Sequence, residues 1–162
     1  MLSSDLSTLF TGRTFEIEVF PFSFEEYRLY NDGGEADRGF DEYVHIGGMS
    51  GSYPYRTQEQ RYQYLSDVFK TLIVRDIVQR HSVRNESALL RIADYMMDNI
   101  SNITSVRNIT DTLNADGLKI TNKTVGTYMG YLCDAFAFYK VRRYDIRGKK
   151  YLKSGEKYYL AD

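Results

Sequence analysis

The side chains best suited to chemistry lie in the last quarter of the chain, where polar and basic residues are frequent. One group begins at a segment typical of a helix start and consists of Thr121, Asn122, Lys123, Thr124 and Thr127. Asparagine can pair with adenine, lysine with guanine or phosphate, and threonine with phosphate or a thymine methyl group. A second group is positively charged and consists of Arg142, Arg143, Arg147, Lys149, Lys150 and Lys153. Each phosphate contact made by such residues would steepen the fall of log affinity with log salt by about 0.9.

Charge is distributed unevenly along the sequence. Residues 1–118 hold 11 Lys and Arg against 18 Asp and Glu, whereas residues 119–157 hold 10 against 3. The net charge of −1 at pH 7 therefore conceals a basic C-terminal segment. This pattern favours an anionic partner for that segment. A solvated, lysine-rich hairpin is the alternative that composition leaves open.

Residues suited to catalysis are few. His45 and His81 are the only histidines, and the single cysteine, Cys133, falls on an apolar helix face. A hydrolytic triad or a zinc site needs more partners than these. The sequence contains no G-x-x-x-x-G-K-S/T phosphate loop, and no predicted strand ends in paired acids that could hold magnesium. We therefore expect neither catalysis nor a metal site in this chain alone.

The N-terminal half predicts short elements followed by one long helix. Thr14–Phe20 alternates apolar and acidic residues, which is typical of a half-buried strand. Ser23 and Glu26 match a capping box at the start of a helix. Gly47–Pro54 is rich in Gly and Ser, and we expect a mobile linker there. Over 57–81 apolar residues recur at spacings of three and four, which predicts the longest helix.

The C-terminal half predicts three helices and a hairpin. Asn85 and Thr121 are typical N-caps of the first and third helices, and the second helix is predicted from Ser105 to Asn114. The apolar residues of the third helix that we expect to point inward are Val125, Tyr128, Met129, Leu132, Cys133 and Phe136. Two strands, within 138–144 and 157–160, flank a basic turn. This order predicts a winged helix, whose third helix would enter the major groove.

Composition also suggests where the protein resides. The first residues include Asp5 and lack both a basic segment and a long apolar run, so they do not resemble a secretory signal. No apolar stretch approaches the roughly 20 residues that span a bilayer. One cysteine permits no internal disulfide bond. The sequence therefore predicts a cytoplasmic protein that does not contact a membrane.

Five segments, spread along nearly the whole chain, are similar to one protein family. Leu2–Arg13 and Glu16–Tyr27 resemble the segment just after the sensor-1 strand in a widespread family of bacterial and archaeal AAA-type ATPases. Arg75–His81, Arg143–Lys150 and Lys157–Asp162 resemble later parts of the same family. Those proteins carry an N-terminal P-loop core, a C-terminal winged helix and a restriction-nuclease-like tail.

The resemblance implies that the chain is an excerpt that starts after the Walker motifs and ends as the nuclease-like tail begins. Residues 1–54 would be a remnant of the ATPase core, 55–84 a helical lid and 85–162 the winged helix. Arg13 would lie where such ATPases often place an arginine that contacts a neighbouring subunit's γ-phosphate. ATP and Mg²⁺ are implied for the full-length parent, and no cofactor is implied for this chain.

The sequence thus predicts a mainly α fold, in which a helical lid precedes a winged helix of three helices plus a β-hairpin. We expect a non-catalytic fragment whose winged helix binds duplex DNA and whose lid responds to the nucleotide state. The alternative is a protein-interaction module that docks on its own missing ATPase core or on a neighbouring subunit, without nucleic acid. Arg142 and Arg143 would point to opposite faces of a strand, so only one is expected to serve any given surface.

Overall fold

The computed structural model describes residues 17–31, 36–142 and 155–161, apart from the side chains of residues 36–38 and 74. Helices predominate, which confirms the mainly α prediction. The helices are α1 Phe24–Tyr30, α2 Ala36–Ile46, α3 Gln58–Thr71, α4 Glu86–Asp98, α5 Val106–Ala115 and α6 Asn122–Asp134. A 3₁₀ turn spans Ser50–Ser52, and a π-helical segment, Leu72–Gln79, continues α3. Strands β1 Phe138–Val141 and β2 Lys157–Leu160 pair antiparallel.

The chain forms two compact units, Met1–Val68 with Asp162, and Phe69–Ala161. The division falls inside residues 55–84, the segment that the sequence predicts as a lid. The lid and its borders at 54 and 84 therefore stay a prediction. No helix among the described residues is long and apolar enough to cross a bilayer.

Aromatic packing holds the first unit together. Tyr27 on α1 is buried, and its ring centroid lies 5.4 Å from those of both Tyr43 and Tyr53. Helix α1 starts with the predicted capping box: the Ser23 hydroxyl accepts from the Glu26 N–H, and the Glu26 carboxylate accepts from the Ser23 N–H. The capping-box prediction is confirmed.

The predicted strand Thr14–Phe20 is wrong over its described part. Ile17–Phe20 belongs to no strand, and its side chains are exposed. Alternation of apolar and acidic residues favours a strand only where a neighbouring strand supplies hydrogen bonds and a core covers the apolar face. Among the described residues, none pairs with this segment as a strand.

The predicted mobile linker, Gly47–Pro54, is instead a packed turn. Ser52 is fully buried, and the Phe22 N–H donates to the Gly48 carbonyl at 2.8 Å. A Cβ at Gly48 would clash with the Phe22 backbone. Glycine here permits a close backbone approach, and the correction follows from packing that composition cannot reveal.

The hydrophobic core of the second unit is drawn from all of its elements. The largest fully buried side chains of this unit are Ile73, Ile77, Leu89, Ile92, Met96, Ile109, Val125, Leu132 and Phe138. Strand register pairs Phe138 with Leu160 and Val141 with Lys157. The order of three helices followed by two antiparallel strands is the order that the sequence predicts.

Helices α4 and α6 begin at the predicted N-caps, and α5 begins after Ser105, where the sequence predicts its start. The side chains of Asn85, Ser105 and Thr121 accept hydrogen bonds from the N–H groups of Ala88, Asn108 and Thr124. These bonds satisfy backbone donors that the first turn of a helix leaves without partners. The N-cap predictions for Asn85 and Thr121 are confirmed, and the structure adds Ser105 as the N-cap of α5.

Phe136, predicted to point inward, is 37% exposed. Its N–H donates to the Cys133 carbonyl, and the Ala137 N–H donates to the Leu132 carbonyl, so α6 ends in a Schellman motif. That motif requires a left-handed residue after the C-cap, and Phe136 has φ of 57°. The prediction was wrong because this backbone conformation turns the ring away from the buried face.

A stacked pair of rings joins two parts of the second unit. His81 follows the π-helical segment, and Tyr131 lies on α6. Their ring centroids are 3.8 Å apart and their planes differ by 8°. The two rings therefore lie face to face and connect the chain just after the π-helical segment with the last turn of α6.

Candidate nucleic-acid interface

Helix α6 has one buried face and one exposed face. Its buried side chains are Val125, Tyr128, Met129 and Leu132, as the sequence predicts. Asn122, Lys123 and Thr127 are exposed, and Thr124 is half-buried. The residues predicted to contact nucleic acid therefore lie at the N-terminal end of α6, mostly on its outer side.

Hydrogen bonds restrict what the threonines of α6 can offer a ligand. The Thr121 hydroxyl accepts from the Thr124 N–H and lies 3.0 Å from the Thr124 hydroxyl. The Thr127 hydroxyl donates to the Lys123 carbonyl at 2.9 Å. Its proton is therefore used within the helix, and Thr127 presents its methyl group, which suits contact with a thymine methyl.

Asn122 and Lys123 are the donors that remain for phosphate or base edges. Both are exposed in the first turn of α6, where unpaired backbone N–H groups and the helix dipole favour an anion. Within the described residues Lys123 forms no ion pair. Its ammonium group is thus available to a negatively charged ligand.

The turn before α6 is fixed by a side-chain clamp. Asn114 donates from Nδ2 to the Ile120 carbonyl at 3.0 Å and accepts at Oδ1 from the Ile120 N–H at 2.8 Å. Gly117, with φ of 86°, ends α5 in a left-handed conformation that glycine adopts without strain. The two hydrogen bonds of this clamp set where α6 begins.

A cavity of about 380 Å³ lies beside this turn, and Lys119 and Thr121 contribute to its wall.

Lys140 on β1 and Arg142, directly after β1, are two further cations, and both are paired. Lys140 Nζ lies 2.9 Å from Glu156 Oε2, and Arg142 Nε lies 3.4 Å from Glu156 Oε1. Burial alone would raise the pKa of Glu156, but hydrogen bonds from Lys140 and Tyr158 and the charges of Lys140 and Arg142 outweigh it and lower that pKa. Arg142, predicted as a phosphate contact, therefore has an acidic partner in the free protein.

The remaining predicted site residues lie outside the described residues. They are Arg13, Arg143, Arg147, Lys149, Lys150 and Lys153. Their roles, and the expectation that Arg142 and Arg143 face opposite ways, stay predictions.

Sequence reasoning missed three residues of this region, Lys140, Glu156 and Asn114. Lys140 lies on β1, two positions before Arg142, and in the strand that the sequence predicts within 138–144 period-two alternation would place both on one face, so this spacing could have identified Lys140. Asn114 lacked such a signal, because its role depends on the fold of the turn six residues later. Sequence spacing alone does not specify that turn.

Cys133, His45 and His81 are the residues with potential catalytic or metal chemistry, and each is either partly buried or in contact with a neighbouring group. Burial raises the pKa of the Cys133 thiol to about 11, which keeps the thiol protonated near neutral pH. One ring nitrogen of His45 lies 2.8 Å from the Asp41 carbonyl, and His81 stacks on Tyr131. Over residues 17–31, 36–142 and 155–161, no group of three or more His, Cys, Asp or Glu is placed to hold a metal ion.

The fold defines the C-terminal unit as a small helical domain closed by an antiparallel strand pair. The chain belongs to the family described as Domain of unknown function (DUF8612), which matches residues 37–162. No solved structure matches the chain.

Two relatives are longer than this chain. An uncharacterized protein of Haemophilus influenzae is 32% identical over 166 residues, which cover all of this chain and 41% of that protein. Uncharacterized protein MJ1544 of Methanocaldococcus jannaschii is 21% identical over 173 residues, which cover all of this chain and 39% of that protein. The chain thus spans about two fifths of the length of these relatives.

Proposed function

We propose that this chain is the helical lid and DNA-binding winged helix of an AAA-type ATPase, and that it is not itself catalytic. One observation carries the DNA-binding part: Asn122 and Lys123 are exposed at the start of a helix whose opposite face is buried. This is the arrangement by which helix-turn-helix proteins present donors to the major groove. The order of helices and strands around α6 also supports the proposal.

The ATPase parentage rests on the sequence resemblance, and the greater length of the relatives is compatible with it. In such a parent, ATP and Mg²⁺ would bind the P-loop core, and Arg13 would contact a neighbouring subunit's γ-phosphate. The lid would then couple nucleotide state to the winged helix. Cytoplasmic location belongs to the same proposal.

DNA binding is testable with the chain itself. We expect purified protein to bind a fluorescent duplex at about 50 mM salt and to lose affinity as salt rises. Lys123→Ala should weaken binding several-fold, and adding Lys149→Ala and Lys150→Ala should remove it. Lys70→Ala also removes one positive charge, from an exposed position on α3, and serves as the matched control for Lys123→Ala. Binding that is unaffected by the three lysine substitutions would refute this interface.

A protein-docking role is the second candidate, and the outer face of the strand pair favours it. Val141 and Tyr159 are exposed apolar side chains on the sheet face opposite buried Phe138 and Tyr158. Exposed apolar clusters often mark protein interfaces. If docking is the function, the remainder of the longer Haemophilus influenzae relative should bind this chain. Val141→Glu should then abolish that binding, whereas Lys123→Ala should leave it intact.

A further inference from the structure

Glu156 is the meeting point of three side chains at the start of β2. Its Oε2 accepts from Tyr158 OH at 2.9 Å and from Lys140 Nζ at 2.9 Å, while Arg142 Nε lies 3.4 Å from Oε1. The side chain of Glu156 is 30% exposed, that of Lys140 is 36% exposed and that of Arg142 is 72% exposed. The acid is thus much more covered than Arg142 and slightly more covered than Lys140.

The backbone also holds Glu156 in place. Its carbonyl accepts from the Thr104 N–H at 2.9 Å, and its N–H donates to the Thr104 carbonyl at 3.2 Å. This bridge attaches the residue to the loop before α5. The bridge fixes the backbone of Glu156, and the hydrogen bond from Tyr158 orients its carboxylate, so the long side chains of Lys140 and Arg142 can turn away while the carboxylate remains.

We propose that Glu156 is an internal counter-ion that occupies Lys140 and Arg142 in the free protein and is replaced by backbone phosphates when duplex DNA binds. The inference rests on the proposed function. Carboxylate and phosphate oxygens accept hydrogen bonds from the same ammonium and guanidinium donors. Partly exposed ion pairs are weak, so the exchange is readily reversible.

The exchange leaves Glu156 negatively charged and close to the bound phosphates. Its repulsion lowers the affinity below what Lys140 and Arg142 would otherwise provide. Glu156 therefore lowers the affinity of the interface for DNA by repelling the phosphates, and it forms no attractive contact with them. Its removal should strengthen binding, although it removes two ion pairs from the free protein.

Glu156→Gln tests the exchange, because glutamine has nearly the same size and can still accept from Tyr158. We expect the variant to bind the duplex about fivefold more tightly than wild type at about 50 mM salt. The ratio should approach one as salt rises, because added ions screen the repulsion. Asp94→Asn removes one negative charge from an exposed site on α4 and is the matched control, with a smaller expected gain.

A second comparison separates exchange from a structural effect. In a chain that carries Lys140→Gln and Arg142→Gln, adding Glu156→Gln should give a gain no larger than that of Asp94→Asn. Thermal unfolding followed by circular dichroism verifies that each variant is folded. If folded Glu156→Gln binds no more tightly than wild type while Lys123→Ala still weakens binding, this inference is overturned and the DNA interface stands. If wild type binds no duplex, the proposed function fails and the inference fails with it.

Discussion

At the scale of single residues, Glu156 should link the stability of the fold to pH. Its cationic and hydrogen-bonding partners lower its pKa in the folded chain below the ordinary value of 4.5. The unfolded chain therefore binds a proton more readily than the folded chain does. The contribution of Glu156 to stability is present above the unfolded pKa and is lost as pH falls through the folded pKa.

The pH dependence can be measured by denaturant unfolding. We expect the free energy of unfolding of wild type to decrease between about pH 6 and pH 3, and the decrease to be smaller for Glu156→Gln. The glutamine side chain of the variant does not titrate, whereas the other carboxylates titrate in both proteins. Identical pH profiles for the two proteins would contradict this assignment.

At the scale of elements, the clamp from Asn114 to Ile120 should stabilise the connection between α5 and α6. Asn114→Ala removes two hydrogen bonds, and we expect the free energy of unfolding to fall by about 1–2 kcal/mol. Asn108→Ala alters the same residue type at an exposed position of α5 and should change stability much less. Denaturant titration compares the two variants, and equal losses would rule out a special role for the clamp.

Two glycines in neighbouring elements should respond to alanine in opposite ways. Gly130 lies within α6 with open space where a Cβ would stand, so Gly130→Ala should stabilise the fold by about 1 kcal/mol. Gly117 has φ of 86°, and Gly117→Ala should destabilise it by about 1–2 kcal/mol through left-handed strain. Melting temperatures should therefore rise for the first variant and fall for the second; any other order would contradict the backbone assignment.

Elements whose signals are local could be predicted from the sequence. The N-caps Asn85, Ser105 and Thr121 each act on an N–H three residues later, so their pattern is complete within one turn. The segment Ile17–Phe20 and the turn Gly47–Pro54 were mispredicted because their outcome depends on distant partners. A residue pattern states which face is apolar, but it does not state what covers that face.

The candidate site was predictable in part for the same reason. The exposed N-terminal end of α6 follows from helical periodicity and a threonine cap, both of which are local. The pairing of Arg142 with Glu156 depends on strand register and on the loop at Thr104, and neither can be derived from spacing. The sequence therefore identified Arg142, but neither Lys140 nor the acid that pairs with both.

At the scale of the whole molecule, the hydrophobic core described above belongs entirely to Phe69–Ala161. We therefore expect residues 69–162 to fold without the first unit and to unfold in one cooperative thermal transition. Circular dichroism of that shorter chain tests this expectation. Leu132→Ala, which empties a fully buried position, should lower its free energy of unfolding by about 2–5 kcal/mol. A shorter chain without a cooperative transition would mean that the core needs residues from outside the unit.

The stacked rings of His81 and Tyr131 have a mechanical consequence. Nearly parallel rings in contact cannot move closer along the stacking direction, and they separate only with loss of their shared surface. A displacement of His81 toward α6 would therefore push on Tyr131, in the last turn of that helix. The stack thus ties the position of the chain just after the π-helical segment to the position of the helix that carries Lys123.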